Sequence, residues 1–214
     1  MNQKIRQDKK FGMHISVKHT FFFSFIIIII VLFFYSPSYL IVETHPVKSD
    51  AVILLLCPDY KVREKEAYRL ISDGYTNTLI IPAQKKIFNI TIKGDESLLQ
   101  QSLGNKNSLT PKREGNQSHR FYENTHLELI AGKSMLDNLG FTSAIFVSSP
   151  YHLRRIKKIA DRVFTGKAYR LSFASPRFQK KEKTLWGINK NDLKMIVSEY
   201  VKIVWLLIYQ PFCK

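Results

Sequence analysis

Residues 20–42 contain no charged side chain, and residues 21–35 within them are almost wholly Phe, Ile, Val and Leu. A helix rises about 1.5 Å per residue, so roughly 20 such residues match a hydrocarbon core about 30 Å thick. Buried core helices and strands use shorter apolar runs, of about 10–14 residues or fewer. The run therefore predicts a transmembrane helix. The chain beyond it reads as a domain held at a membrane.

A cleavable signal peptide is the competing reading, because the apolar run follows a basic start. Such a peptide has an apolar stretch of about 7–15 residues that ends in small residues at the cleavage site. Tyr35-Ser36-Pro37-Ser38 offers no Ala-x-Ala pattern, which favours an uncleaved anchor. Before the run, residues 1–19 hold Lys4, Arg6, Lys9, Lys10 and Lys18 against Asp8 alone. Short basic flanks stay cytoplasmic, so the expectation is a single-pass protein of the plasma (inner) membrane with its domain outside the cytoplasm.

The 172 residues after Val42 (214 minus 42) suffice for one domain with a full core, spanning 43–214. They hold 28 of the 33 Lys and Arg and 16 of the 17 Asp and Glu, near +12 (28 minus 16). Such a field favours anionic partners, here acidic lipid headgroups or phosphate-rich envelope polymers. No aromatic and basic residues interleave in a nucleic-acid-binding pattern, so nucleic acid is not expected as a partner. Cys57 and Cys213 form no disulfide framework or metal spacing and are expected to be unpaired.

The domain reads as α/β. Residues 51–56 are a continuous apolar run, as in a parallel strand buried on both faces. A helix over 62–72 closes near Gly74, and a strand follows over 78–82. The pattern recurs as helix 125–139 before Gly140, strand 143–148, helix 150–164 and strand 169–174. These elements predict a Rossmann-like, doubly wound, mostly parallel sheet in a three-layer sandwich. Residues 84–122 are polar and rich in Gly, Asn, Ser and Lys, and predict a flexible insertion or lid. An apolar helix over 191–209 carries Glu199 and Lys202. It is short for a second span and is expected on the sheet, with the membrane interface as the alternative.

Ligands of open α/β sheets bind beyond the carboxyl ends of the strands. At one such end, Ser149 suits a helix N-cap and Pro150 the first helical position, which directs free N–H groups into a cleft and makes an anion site. Arg155 can clamp a phosphate or carboxylate, and His152, kept neutral near a helix N-terminus, can serve as a general base. An ordinary helix start explains the same Ser-Pro pair without function.

Thr125 and Glu128 fit a capping box, while Glu128 as a carboxylate facing His152 is the catalytic alternative. A metal is not expected, because His126, Glu128 and His152 lack a ligand spacing. After the first strand, Cys57-Pro58-Asp59 replaces the Gly-x-Gly-x-x-Gly of dinucleotide folds, so nicotinamide cofactors are not expected. Asp59 and Arg63 face the same cleft and complete the candidate ligand-binding set.

These residues resemble the YdcF-like proteins, domain-of-unknown-function family 218, which include the SanA and ElyC envelope proteins. The resemblance rests on Asp50 before 51–56, Arg63 and Ala67, Asn124 and Thr125 with Glu128, and Ser149, His152 and Arg155. More loosely, it includes Trp186, Glu199 and Lys202. It covers most of 50–82 and 124–205, and departs from the family at 57–59, where a Gly-rich turn is usual, and over 84–122. It implies a Rossmann-like domain on a membrane anchor, with roles in envelope integrity and envelope polysaccharide. Nucleotide or S-adenosylmethionine binding has been suggested within the family, which supplies no reaction and leaves the cofactor unknown.

The reading that follows is an envelope protein whose cleft binds, and with His152 and Glu128 as base and acid processes, an anionic glycan or lipid-linked precursor. The alternatives are a non-catalytic binding or scaffold protein with the same cleft, or a nucleotide- or S-adenosylmethionine-binding domain.

Overall fold

The computed structural model describes residues 17–56, 60–90 and 123–209. Asp59, both cysteines and most of the 84–122 segment lie outside these residues.

Five strands form one sheet in the order β3-β2-β1-β4-β5, where β1 is Ala51–Leu54, β2 Thr78–Ile81, β3 Lys86–Asn89, β4 Ser143–Val147 and β5 Arg170–Ala174. β1 lies between β2 and β4 and is parallel to both, β5 is parallel to β4, and β3 runs antiparallel on the edge. The chain builds one half of the sheet outward from β1, then crosses back to build the other. The result is a mixed α/β domain with a mostly parallel sheet, compatible with a Rossmann-like fold.

The alternation of side chains along each strand explains the two cores. Ala51, Ile53 and Leu55 point to one face, beneath α4 (Asn124–Asn138), α5 (Leu153–Val163) and α6 (Lys190–Tyr209). Val52 and Leu54 point to the other, against Ala67, Leu70 and Ile71 of α3 (Tyr60–Ser72). Both faces of β1 and β4 are fully covered, which is why these strands read as unbroken apolar runs.

Gly74 and Gly140 close α3 and α4 in left-handed conformation, at φ 79° and 70°. Each helix end is tied by paired bonds: Gly74 N–H to Ile71 O and Tyr75 N–H to Leu70 O, then Gly140 N–H to Asp137 O and Phe141 N–H to Leu136 O. Gly132 lets α4 approach the sheet closely, since an added Cβ would stand 3.3 Å from Pro82 Cγ.

Two expectations are corrected. Residues 86–89, placed by sequence in a polar insertion, form β3, which pairs with β2 from Thr78–Asn89 to Ile81–Lys86. Its outward, mostly exposed position removes the apolar pattern that would have marked it as a strand. Second, the helix begun in the apolar run does not continue to residue 42. α1 (Val17–Phe34) ends before Tyr35, and the short α2 (Ser36–Leu40) turns into the domain, where Leu40 is fully buried with Tyr151, Ile196 and Ile203. Pro37 explains the break, because it lacks the N–H that a continuing helix needs. Among the described residues no helix is long and apolar enough to cross a membrane. Phe21 to Phe33 of α1 nevertheless leave most of their large apolar side chains exposed.

Asp50 fastens the amino ends of β1 and β4. Its Oδ2 accepts bonds from the N–H groups of Thr142 and Ser143, both at 2.9 Å, and from the Ser143 hydroxyl at 2.7 Å. Burial acts against the charge, but these donors hold the carboxyl below its usual range. Asp50 is thus at the end of the sheet opposite the cleft and acts in the fold.

Candidate functional site

β1 and β4 are adjacent but lead to opposite halves of the sheet, so a crevice opens beyond their carboxyl ends. Leu55 and Leu56 after β1 and Ser148 after β4 form its floor, and Arg63, Thr125, Glu128, His152, Arg155 and Ile156 line its sides. The enclosed space is about 10 Å³, room for roughly one water-sized group.

Arg63 comes from the first turns of α3 and is 1% exposed. Its Nε–H and Nη2–H donate to Ser149 Oγ at 3.1 and 2.8 Å, and its Nη1–H donates to the Leu55 carbonyl at 3.1 Å. Both partners are neutral. Three of the guanidinium's five N–H groups are used, and none of the ion pairs among the described residues includes Arg63. A buried cation satisfied only by neutral acceptors is an electrostatic demand for an anion.

Ser149 is the N-cap expected from sequence, at φ −64° and ψ 149°, with Pro150 next. Its hydroxyl makes no capping bond; it faces Arg63 instead. The first turn, Pro150–His152, is a 3₁₀ turn in which His152 N–H bonds back to Ser149 O at 3.0 Å. That donor is therefore not directed at a ligand.

Arg155, read from sequence as the anion clamp, is committed to two carboxylates. Its Nε–H and Nη2–H reach Glu199 Oε2 and Oε1 at 2.8 and 3.3 Å, and its Nη1–H reaches Glu123 Oε2 at 2.6 Å. Glu199 is fully buried on α6 and is the hub of the site. It also accepts from His152 Nδ1 at 2.9 Å and from Lys202 Nζ at 3.0 Å. Burial opposes its charge, but the bonds from His152 and Arg155 outweigh that and hold Glu199 well below the usual carboxylate range.

A carboxylate can only accept, so the proton of the neutral imidazole sits on Nδ1 and leaves Nε2 as a lone-pair base. Burial lowers the His152 pKa, Glu199 pulls it up, and the charges of Arg63 and Arg155 push it down again. The net shift is downward, which favours the neutral imidazole, and burial is its largest cause. The longer 3.3 Å approach of Arg155 Nη2 to Nδ1 sets two donors side by side and does not compete with Glu199.

Glu128 is 6% exposed, and its pKa is raised to about 7 by burial, with partial offset from the Leu56 N–H and the charges of Arg63 and Arg155. The capping box is not formed. α4 starts at Asn124 after an extended Glu123 that makes no side-chain cap bond, which places Thr125 inside the first turn. Glu128 is drawn into the cleft by the Leu56 N–H, and Thr125 lines the same space.

The structure thus brings together Arg63, Thr125, Glu128, Ser149, His152 and Arg155. It adds Glu199 and Glu123, which sequence reasoning did not assign to the site. Glu199 had a readable signal: a carboxylate in an apolar helix whose neighbours Ile196, Ile203 and Leu206 share its buried face. Glu123 had none. Trp186, expected near the family's tail, is 80% exposed in a loop. Among the described residues, no group of three or more His, Cys, Asp or Glu side chains is placed to hold a metal ion.

Comparison of the chain with protein-family models, curated proteins and solved structures finds no match.

Proposed function

We propose that this chain is a membrane-anchored cell-envelope protein of the YdcF/SanA/ElyC type, whose cleft binds and processes a phosphorylated, lipid-linked or glycan precursor. The observation that carries the reading is Arg63, buried in the cleft with two unspent N–H groups and only neutral partners. A phosphoryl group supplies the missing negative charge and accepts such paired donors well.

The anchor is the uncharged run of residues 20–42, of which residues 20–34 lie in α1. The basic flank at residues 1–19 keeps the amino terminus cytoplasmic and the cleft on the outer side.

In the reaction that this arrangement suits, His152 Nε2 takes a proton from water or an acceptor hydroxyl as its oxygen attacks phosphorus. Glu128, whose pKa is raised to about 7 so that a share of it keeps its proton at neutral pH, gives that proton to the leaving oxygen as the P–O bond breaks. Glu199 holds the imidazole in its tautomer and stabilises the imidazolium that forms. Arg63 balances the charge that builds on the phosphoryl oxygens.

Calorimetry on the full chain in detergent tests the binding step, with polyprenyl diphosphate and the matching polyprenyl alcohol as probes. The diphosphate binds and the alcohol does not. Charge-assisted bonds contribute roughly 1.5–3 kcal/mol each, so Arg63→Met weakens binding about tenfold or more. Unchanged affinity in that variant removes the assignment. Phosphate release that persists in His152→Gln removes the base.

A further inference from the structure

The outer face of α6 is bare. Ile196, Glu199, Ile203, Leu206 and Tyr209 turn inward, yet Val197, Val201, Val204 and Ile208, spaced as one helical stripe, remain 55–63% exposed, with Trp205 beside them at 44%. From Val201 to Tyr209 the only polar groups on side chains are the Lys202 ammonium, the Trp205 indole N–H and the Tyr209 hydroxyl. A helix apolar on both sides is built to be covered on both sides, and stripes of this kind mark interaction surfaces.

Three contacts place α6 at the exit of α1. The Tyr200 hydroxyl donates to the Ser36 carbonyl at 2.6 Å, and the Tyr39 and Tyr200 rings stack at 6.2 Å and 17°. Leu40 packs with Ile196 and Ile203. The loop before α6 reaches the same point, since Leu185 N–H bonds to Phe34 O at 3.0 Å. That bond sets Trp186, 80% exposed, beside the last residue of α1. Lys183, Lys190 and Lys194 are exposed on this loop and the start of α6.

We infer that α6 and the Trp186 loop form a membrane-docking face, and that the bilayer entered by α1 is its occupant. The face is continuous with α1. It presents aromatic rings at the depth where a span leaves the hydrocarbon, the usual place of Trp and Tyr at an interface. Its lysines suit anionic headgroups, and its apolar stripe suits the acyl boundary. Glu199 lies on the inner side of the same helix, so the cleft stands about one helix diameter, roughly 10–12 Å, from the bilayer. This inference rests on the anchor reading above.

The chain's two tryptophans, Trp186 and Trp205, both lie on the proposed face and serve as reporters. The full chain is reconstituted into phosphatidylcholine and phosphatidylglycerol vesicles with or without bromine on the acyl chains. Trp186→Phe and Trp205→Phe leave one reporter each. Both reporters are expected to emit at short wavelength and to lose emission to the brominated lipid. Val201→Glu with Val204→Glu abolishes the quenching of Trp205 while the chain still floats with the vesicles.

A chain that floats but whose Trp205 emits as in water overturns the docking and leaves the anchor standing. Short-wavelength emission indifferent to bromine means that protein covers the stripe, and also overturns it. A chain that does not float overturns anchor and docking together.

Discussion

Nδ1 of His152 lies 2.9 Å from Oε1 of Glu199, a carboxylate with no solvent exposure, while both Glu199 oxygens face Arg155. One buried anion thus serves His152 and Arg155 as well as Lys202, and the two buried partners must respond differently when it is removed.

Glu199→Ala leaves Arg155 buried with less compensation and is expected to cost roughly 3–5 kcal/mol of stability, measured by denaturant unfolding. Glu199→Gln is expected to cost less. In that variant the His152 pKa falls further below its already lowered value, because the anion that raised it is gone. Imidazole resonances followed against pH report the change, and an unmoved titration separates Glu199 from His152.

Glu128 sets a pH dependence of definite sign. Its folded pKa, raised to about 7 from 4.5, means that the native state binds the proton more tightly than the unfolded chain. The stability this proton contributes is present in full below about 4.5 and is lost as pH rises through about 7. The span corresponds to on the order of 3 kcal/mol. His152, with a lowered pKa, works in the opposite direction, so the comparison is between wild type and Glu128→Gln. The variant loses the decline between pH 4.5 and 7, and an unaltered pH profile contradicts a buried, protonated Glu128.

Leu40→Ala tests whether residues 36–40 belong to the domain. Leu40 is fully buried among Tyr151, Ile196 and Ile203, and truncating such a side chain costs about 2–5 kcal/mol. A lowered melting temperature of the α/β domain is expected. No change would return these residues to the apolar span.

Asp50→Asn removes the anion that collects the Thr142 and Ser143 donors, and is expected to cost about 1–2 kcal/mol at neutral pH. The wild-type group has a lowered pKa, so its contribution is present above the unfolded value of 3.8 and fades as pH falls through the folded one. The difference between the two proteins closes in acid. A gap that persists there means the role of Asp50 is not electrostatic.

Most of the sheet was legible in the sequence because its central strands are buried on both faces and its helices end at glycines, signals that depend on local pattern alone. β3 was not, since Lys86 to Asn89 is a four-residue edge strand with little buried surface to impose a period. Thr125 and Glu128 matched a capping pattern in sequence, but the Leu56 N–H lies on another element, and only the fold could draw Glu128 away from the helix end. Arg155 looked free for the same reason. Its two carboxylate partners come from the start of α4 and from α6, while the more quietly placed Arg63 keeps donors to spare.

The hub of the site arrives on the last helix. His152 and Arg155 are synthesised before Glu199, so a chain interrupted short of Lys190 carries a buried guanidinium without its main counter-charge and an imidazole with no fixed tautomer. Such a chain lacks the bonds through which Glu199 joins α5 to α6. The last of the described helices to be synthesised is thus the one that completes the charge cluster beside the cleft.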